Sequence, residues 1–142
     1  MATSTRADKY TVLNSQKERY SDFTINFLSH PLTNQLVRVT NEEAVKRSIK
    51  NLISTNKFER MFNPEIGGNI EKFLFEDVSA ITSSLLKTSI VDTIEQYEPR
   101  ANLIDVLITG DPDLNAYLIT ISFSIPSDPN IHTVNLSLSR VR

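Results

Sequence analysis

None of the 142 residues is cysteine, so disulfides and thiolate metal sites are excluded. That absence fits a reducing compartment. Tryptophan is missing too, and three glycines leave little room for the loops that cradle phosphate. No stretch reaches the roughly 18–20 consecutive apolar residues of a membrane helix. The opening "MATSTRADKY" has no apolar run of the kind a secretory signal carries. A soluble protein made and used in a cytoplasm is the expectation. Lys and Arg total 15 against 17 Asp and Glu, with no run of one sign. Nucleic acid is therefore not the expected partner, because phosphate binding needs clustered cations. The length suits one domain with its own core.

What is present reads as an α+β chain. Residues 1–21 are polar and are expected to form a flexible N-terminal arm, with 22–142 a single domain. Phe23, Ile25 and Phe27 alternate with Thr24 and Asn26, and "SHPLTN" has turn chemistry. This predicts a hairpin of 22–28 with 35–40. Thr40 followed by Glu43 predicts a capping box at the start of a helix ending near Thr55. Val45, Ile49, Leu52 and Ile53 form its core stripe, with Lys46, Arg47 and Lys50 opposite. Pro64, Gly67 and Gly68 break regular structure, and a short helix over "NIEKFLFE" puts Ile70, Phe73 and Leu74 on one face. Ser79 is the expected N-cap of a long helix whose stripe is Ile81, Leu85, Leu86, Ile90, Ile94 and Tyr97; Pro99 ends it. "NLIDVLIT" is largely apolar and reads as a strand buried on both faces. In "AYLITISFSI", Tyr117, Ile119, Ile121, Phe123 and Ile125 point one way, as do Val134, Leu136 and Leu138 in "IHTVNLSLSRV". The expected fold is an N-terminal β-hairpin, two to three helices and a C-terminal three-stranded antiparallel sheet whose last strand leaves an edge open.

Candidate chemistry is sparse. The two histidines, His30 and His132, have no second histidine or cysteine nearby, so no metal site is expected. No nucleophile elbow of the G-x-S-x-G type is present. Glu65, Glu76 and Glu98 could be combined into a glycosidase pair, but that chemistry needs one acid of raised pKa, and nothing in the sequence buries one. Two features carry more. An unpaired edge on the last strand is a template for another chain's strand, or a blunted edge in a monomer. In "YEPR" (97–100), Glu98 sits at a helix C-terminus, where a negative charge costs about 0.3–1 kcal/mol. Pro99 pushes Glu98 toward extended geometry, which puts Glu98 and Arg100 on the same side. The simpler alternative is a helix stop with a surface ion pair worth little.

"ERMFNPEIGG" (59–68), "FLFED" (73–77) and "YEPR" (97–100) occur in that order. In combination they resemble the baseplate wedge, or sheath-initiator, family of contractile-tailed bacteriophages, which has relatives in type VI secretion baseplates. The matching positions are Thr55, Glu59-Arg60, Pro64 to Gly67, Leu74-Phe75-Glu76 and Tyr97 to Arg100. The resemblance implies a structural protein of the virion tail baseplate, assembled in the host cytoplasm, with no enzyme activity and no cofactor, metal, nucleic acid, membrane or small-molecule ligand. It implies that Tyr97, Glu98, Pro99 and Arg100 contact the helical core bundle of the wedge. It implies, too, that the strands around 116–125 and 131–141, with Val134, Leu136 and Leu138, offer an edge to the tail sheath subunit, with the tail tube a further neighbour. Some members carry a "lysozyme" label, so a tail-associated glycosidase using Glu65, Glu76 or Glu98 is the alternative. The chain departs from the family pattern at Phe58, where glycine is usual, so that turn is expected to differ; its N-terminal arm is also longer than the family domain needs.

Overall fold

The computed structural model describes residues 19–24 and 27–139. Most of the expected arm, together with Ile25, Asn26 and residues 140–142, lies outside the described residues. In chain order the elements are β1 (Ser21–Phe23), β2 (Arg38–Thr40), α1 (Asn41–Ser54), a 3-10 helix (Ile70–Phe75), α2 (Ala80–Tyr97), β3 (Asn102–Asp111), β4 (Ala116–Ile125) and β5 (Asp128–Ser139). β1 pairs with β2, and a separate antiparallel sheet runs β3-β4-β5. The α+β class, the N-terminal hairpin, the helices and the C-terminal meander are those expected from the sequence.

β4 is the central strand, and its alternation decides the packing. Tyr117, Ile119, Ile121, Phe123 and Ile125 all face inward and are buried. Val45, Ile49 and Ile53 of α1 and Leu86, Ile90 and Ile94 of α2 cover them, with Ile70 and Phe73 of the 3-10 helix in the same core. Burying each such side chain is worth about 1.5–3 kcal/mol. A one-residue slip would turn all five outward, so the register is strongly specified.

The departures from expectation have physical causes. β3 is covered on one face only: Val106 is buried, whereas Ile104 and Leu107 stand in solvent. It is an edge strand of an antiparallel sheet whose helices lie on one side, and Ile104 sits at a register shift. On α2, Ile81 and Leu85 are exposed, and Thr82 and Thr93 take interior places. At about 100° per residue, Thr82 lies only about 40° from Leu86, while Leu85 and Ile81 lie about 100° and 140° from it. Ser79 does cap α2, accepting the Thr82 N–H at 3.1 Å.

The capping box at α1 does not form, since the Thr40 side chain makes no cap bond and Glu43 pairs with Lys46 at 3.2 Å. Instead Asn41, at φ 49, accepts the N–H groups of Arg19 and Tyr20 through its Oδ1 and donates its own N–H to the Tyr20 carbonyl. The helix start is thereby tied to the chain before β1, and Tyr20 packs against the core. The last residues of the expected arm, 19–21, belong to the fold. The hairpin is short: three pairs, plus an isolated bridge between Ser29 and Leu36. Phe27, at φ 47, breaks the alternation there.

Candidate functional site

The end of α2 builds the first site. Pro99 has no N–H and disfavours helical geometry at Glu98, which takes φ −127 and ψ 70. The Glu98 N–H still reaches the Ile94 carbonyl at 2.8 Å, and Ala101 closes a turn onto the Glu98 carbonyl at 3.1 Å. This turn tucks the Glu98 carboxylate inward, leaving the residue 2% exposed. Arg100 grips it as a two-toothed fork: Nε donates to Oε1 at 2.5 Å and Nη2 donates to Oε2 at 2.9 Å. Ser48, from α1, donates its hydroxyl to the same Oε2. The guanidinium lies 5.5 Å from the centre of the Tyr20 ring, with the Arg100 side chain 35% exposed.

Burial pushes the Glu98 carboxyl up, but the bonds from Arg100 and Ser48 outweigh it, and the group sits below the ordinary carboxylate range. The bond to Glu98 raises Arg100 in turn. Glu98 and Arg100 therefore pair with each other, on one side of the turn, as their spacing suggested. The pair is not a loose surface contact, because one partner is buried and fully bonded.

The second family motif meets this corner. Tyr97 donates its hydroxyl to the Glu65 carbonyl at 2.8 Å, joining "YEPR" to "NPEIGG". Gly67, at φ 135, passes so close to α1 that a Cβ there would stand 2.5 Å from the Thr55 carbonyl oxygen. Phe58 keeps a left-handed backbone, φ 70, at the position where glycine is usual. This left-handed geometry costs a residue with a side chain roughly 1–2 kcal/mol. It is held by the Phe58 N–H on the Pro64 carbonyl and by Glu59 Oε2 accepting the Asn56 N–H, each at 2.8 Å. The loop presents Phe58, Met61 and Phe62 to solvent. Beneath it opens a cleft of about 280 Å³, lined in part by Ser48, Arg60 and Tyr97.

At the sheet, Val134 and Leu136 are buried and Leu138 is partly buried against the chain's own core. Their side chains lock β5 in place. What β5 offers outward is its edge, for no strand pairs with it beyond β4 among the described residues.

Sequence reasoning missed a third cluster. His132, on β5, has both ring nitrogens near carboxylates: Nδ1 is 2.7 Å from Glu42 Oε2 and Nε2 is 3.3 Å from Asp128 Oδ2. The three residues bring one ligand atom each within 4.8 Å of one another. The spacing of Asp128 and His132 was visible in the sequence, but Glu42 arrives from the first turn of α1, which only the packed fold places there. The neighbours are carboxylates, not the second histidine or cysteine sought in the sequence.

The family described as "Baseplate wedge protein gp25" matches residues 39–130. The chain belongs to this family. The "Baseplate wedge protein gp25" of Enterobacteria phage T4 is 29% identical over 97 residues, covering 68% of this chain and 74% of that protein. Among solved structures, a "putative tail lysozyme" from Geobacter sulfurreducens superposes with a TM-score of 0.65 at 22% identity, covering 71% of this chain and 92% of that one. A chain of the anti-feeding prophage baseplate gives 0.60 at 22% identity, with 83% of each chain covered. These structural likenesses establish a shared fold.

The matched span of this wedge-family chain takes in Glu98, Arg100 and the 58–68 loop and stops before Val134. The name of one structural relative, a putative tail lysozyme, brings back the three glutamates considered for that chemistry. Glu65 and Glu76 are exposed, and Glu98 is held ionised, the reverse of what a general acid requires. No helix among the described residues is long and apolar enough to cross a membrane.

Proposed function

We propose that this baseplate wedge component works by geometry rather than catalysis: it braces the helical core bundle of the wedge with the Tyr97–Arg100 corner and starts sheath assembly at the β5 edge. The observation that carries this reading is the buried fork between Glu98 and Arg100. Because Glu98 is spent inside the chain, it acts as the positioning group, and the part-exposed Arg100 is the charge that meets a partner. The exposed Phe58, Met61 and Phe62, on the loop that contributes Arg60 to the neighbouring cleft, supply apolar area to the same contact. Glu98 is therefore not itself presented to another subunit. On the other side of the fold, Val134, Leu136 and Leu138 anchor β5 from within, so its free amide and carbonyl groups form a rigid template for a strand of the sheath subunit. The tail tube is a further neighbour. The site of action is the virion tail baseplate, assembled in the host cytoplasm.

Assembly tests this directly. Arg100→Lys keeps the charge but loses the fork, and it is expected to stay folded by circular dichroism while entering baseplates poorly. Undiminished incorporation would sink the bracing role. Thr133→Lys combined with Asn135→Lys charges the solvent face beside the β5 edge. Normal sheath growth on baseplates carrying that double variant would remove the edge reading. Purified protein is expected to leave peptidoglycan intact; hydrolysis lost on a single Glu→Gln change would restore the glycosidase.

A further inference from the structure

We propose that His132 and Asp128, oriented by Glu42, form a binding site for a divalent cation of the zinc class. The argument starts from one atom. The His132 side chain is 8% exposed, and its Nε2 is buried with no hydrogen-bond partner, although a carboxylate oxygen lies 3.3 Å away. A buried polar atom left unpaired costs about 1–3 kcal/mol.

The other nitrogen explains which atom is free. Glu42 Oε2, at 2.7 Å from Nδ1, is at the distance of a charge-assisted hydrogen bond. Accepting the Nδ1 proton fixes the tautomer and leaves the Nε2 lone pair directed toward Asp128. This carboxylate–histidine arrangement is how metal-binding imidazoles are commonly oriented. Without a further positive charge, the Nε2 lone pair would meet the Asp128 oxygen lone pair in a buried place. The ring is also held by Phe123, whose centroid is 5.8 Å away.

The second contact has the length of a ligand edge rather than of a hydrogen bond. Two ligands each about 2.0–2.1 Å from a tetrahedral ion stand roughly 3.3 Å apart. The Nε2 to Oδ2 separation is 3.3 Å, longer than the roughly 2.7–2.9 Å of a charge-assisted bond. Asp128 is prepared for the role: its Oδ1 accepts the Asn130 N–H at 3.1 Å, which leaves Oδ2 free. Asp128, its side chain 16% exposed, is the ligand through whose side water would complete the coordination. Lys46, 3.9 Å from Glu42 Oε2, is the cation facing the cluster from α1. Imidazole with carboxylate and no thiolate suits a borderline ion such as zinc, whereas calcium takes about 6–8 oxygens. The bound ion would pin His132 to Asp128 at the start of β5, while Glu42 ties the ring to the first turn of α1. This inference stands apart from the baseplate reading.

The test uses the full chain, freed of metal with a chelator and titrated with zinc chloride alone. Calorimetry is expected to show one equivalent bound, with a rise in melting temperature. Asp128→Asn is expected to abolish both. Glu42→Gln, which removes only the orienting group, weakens zinc affinity by about 10–100-fold, and the neighbouring Glu43→Gln leaves it unchanged. In nitrogen-15 spectra of the imidazole, zinc shifts Nε2 and leaves Nδ1 protonated. Absence of binding, equal binding by Asp128→Asn, or an imidazole protonated on both nitrogens with zinc present would each overturn the site.

Discussion

At the end of α2 a buried carboxylate, Glu98, meets donors from Arg100 and Ser48. At the start of β5 a buried imidazole, His132, meets two carboxylates and keeps one nitrogen unbonded. Both sites are polar groups taken out of water, and burial penalises each in the same way. They differ in closure. The Glu98 corner is satisfied within the chain, so its role is architectural: it fixes where Arg100 and the 58–68 loop stand. The His132 cluster leaves Nε2 buried without a hydrogen-bond partner, so the proposed ligand has something to complete. Removing a charge should therefore be costly at the first site and mild or helpful at the second.

The largest expected effect comes from Arg100→Ala, which strands a buried carboxylate. Breaking a fully buried pair costs about 3–5 kcal/mol, and with Arg100 partly exposed about 2–3 kcal/mol is expected in urea unfolding. A loss under about 1 kcal/mol would show that solvent satisfies Glu98 and the corner is not closed. The same pair has a pH signature. The folded pKa of Glu98 is lowered, so its stabilisation is complete above the ordinary carboxylate value and is lost as pH falls through the lowered one. The stability gap between the natural chain and Arg100→Ala should shrink on acidification, and urea midpoints at successive pH values measure this.

Ser48→Ala comes next, at about 1–2 kcal/mol for one hydrogen bond to a charged acceptor. Combined with Arg100→Ala in a double-mutant cycle, it should show coupling, since both bond the same carboxylate. At the second site the sign reverses. In alkaline, chelator-treated buffer, Asp128→Asn should stabilise by about 0.5–1.5 kcal/mol, because the new amide donates into the unbonded Nε2. Destabilisation there would mean that the two sites are equally closed and would erase the contrast. Lys46→Ala should be smallest, within about 0.5 kcal/mol in thermal melts, since Lys46 touches only part-exposed carboxylates.

Legibility in the sequence follows the range of the interaction. Strict alternation in β4 identifies its buried face, Ser79 marks the start of α2, and Pro99 marks its end. That Glu98 and Arg100 share a side is readable, because two residues and a proline decide it locally; that they pair with each other is seen only in the structure. The failures are non-local. β3 looks buried on both faces because it is apolar, yet whether a second layer covers a face depends on where the helices pack. Ile81 and Leu85 join the apolar stripe of α2 on paper, but the core line is set by what β4 presents. Thr40 and Glu43 have the pattern of a capping box, yet Asn41 wins the helix start because the chain before β1 folds back to it. Phe58 shows a backbone conformation that its side chain would argue against, imposed by a loop bonded at both ends.

By itself, then, the sequence determined the class of the fold, the core face of its central strand and the placing of Glu98 and Arg100 on one side of Pro99. Each depends on periodicity or on neighbours a few residues apart, where steric and hydrogen-bond rules act directly. Only the tertiary structure decided that Glu98 is buried, that "NPEIGG" closes onto Tyr97, and that Glu42 arrives beside His132. Those outcomes depend on which distant surfaces meet, and that is settled by burying the whole apolar core at once.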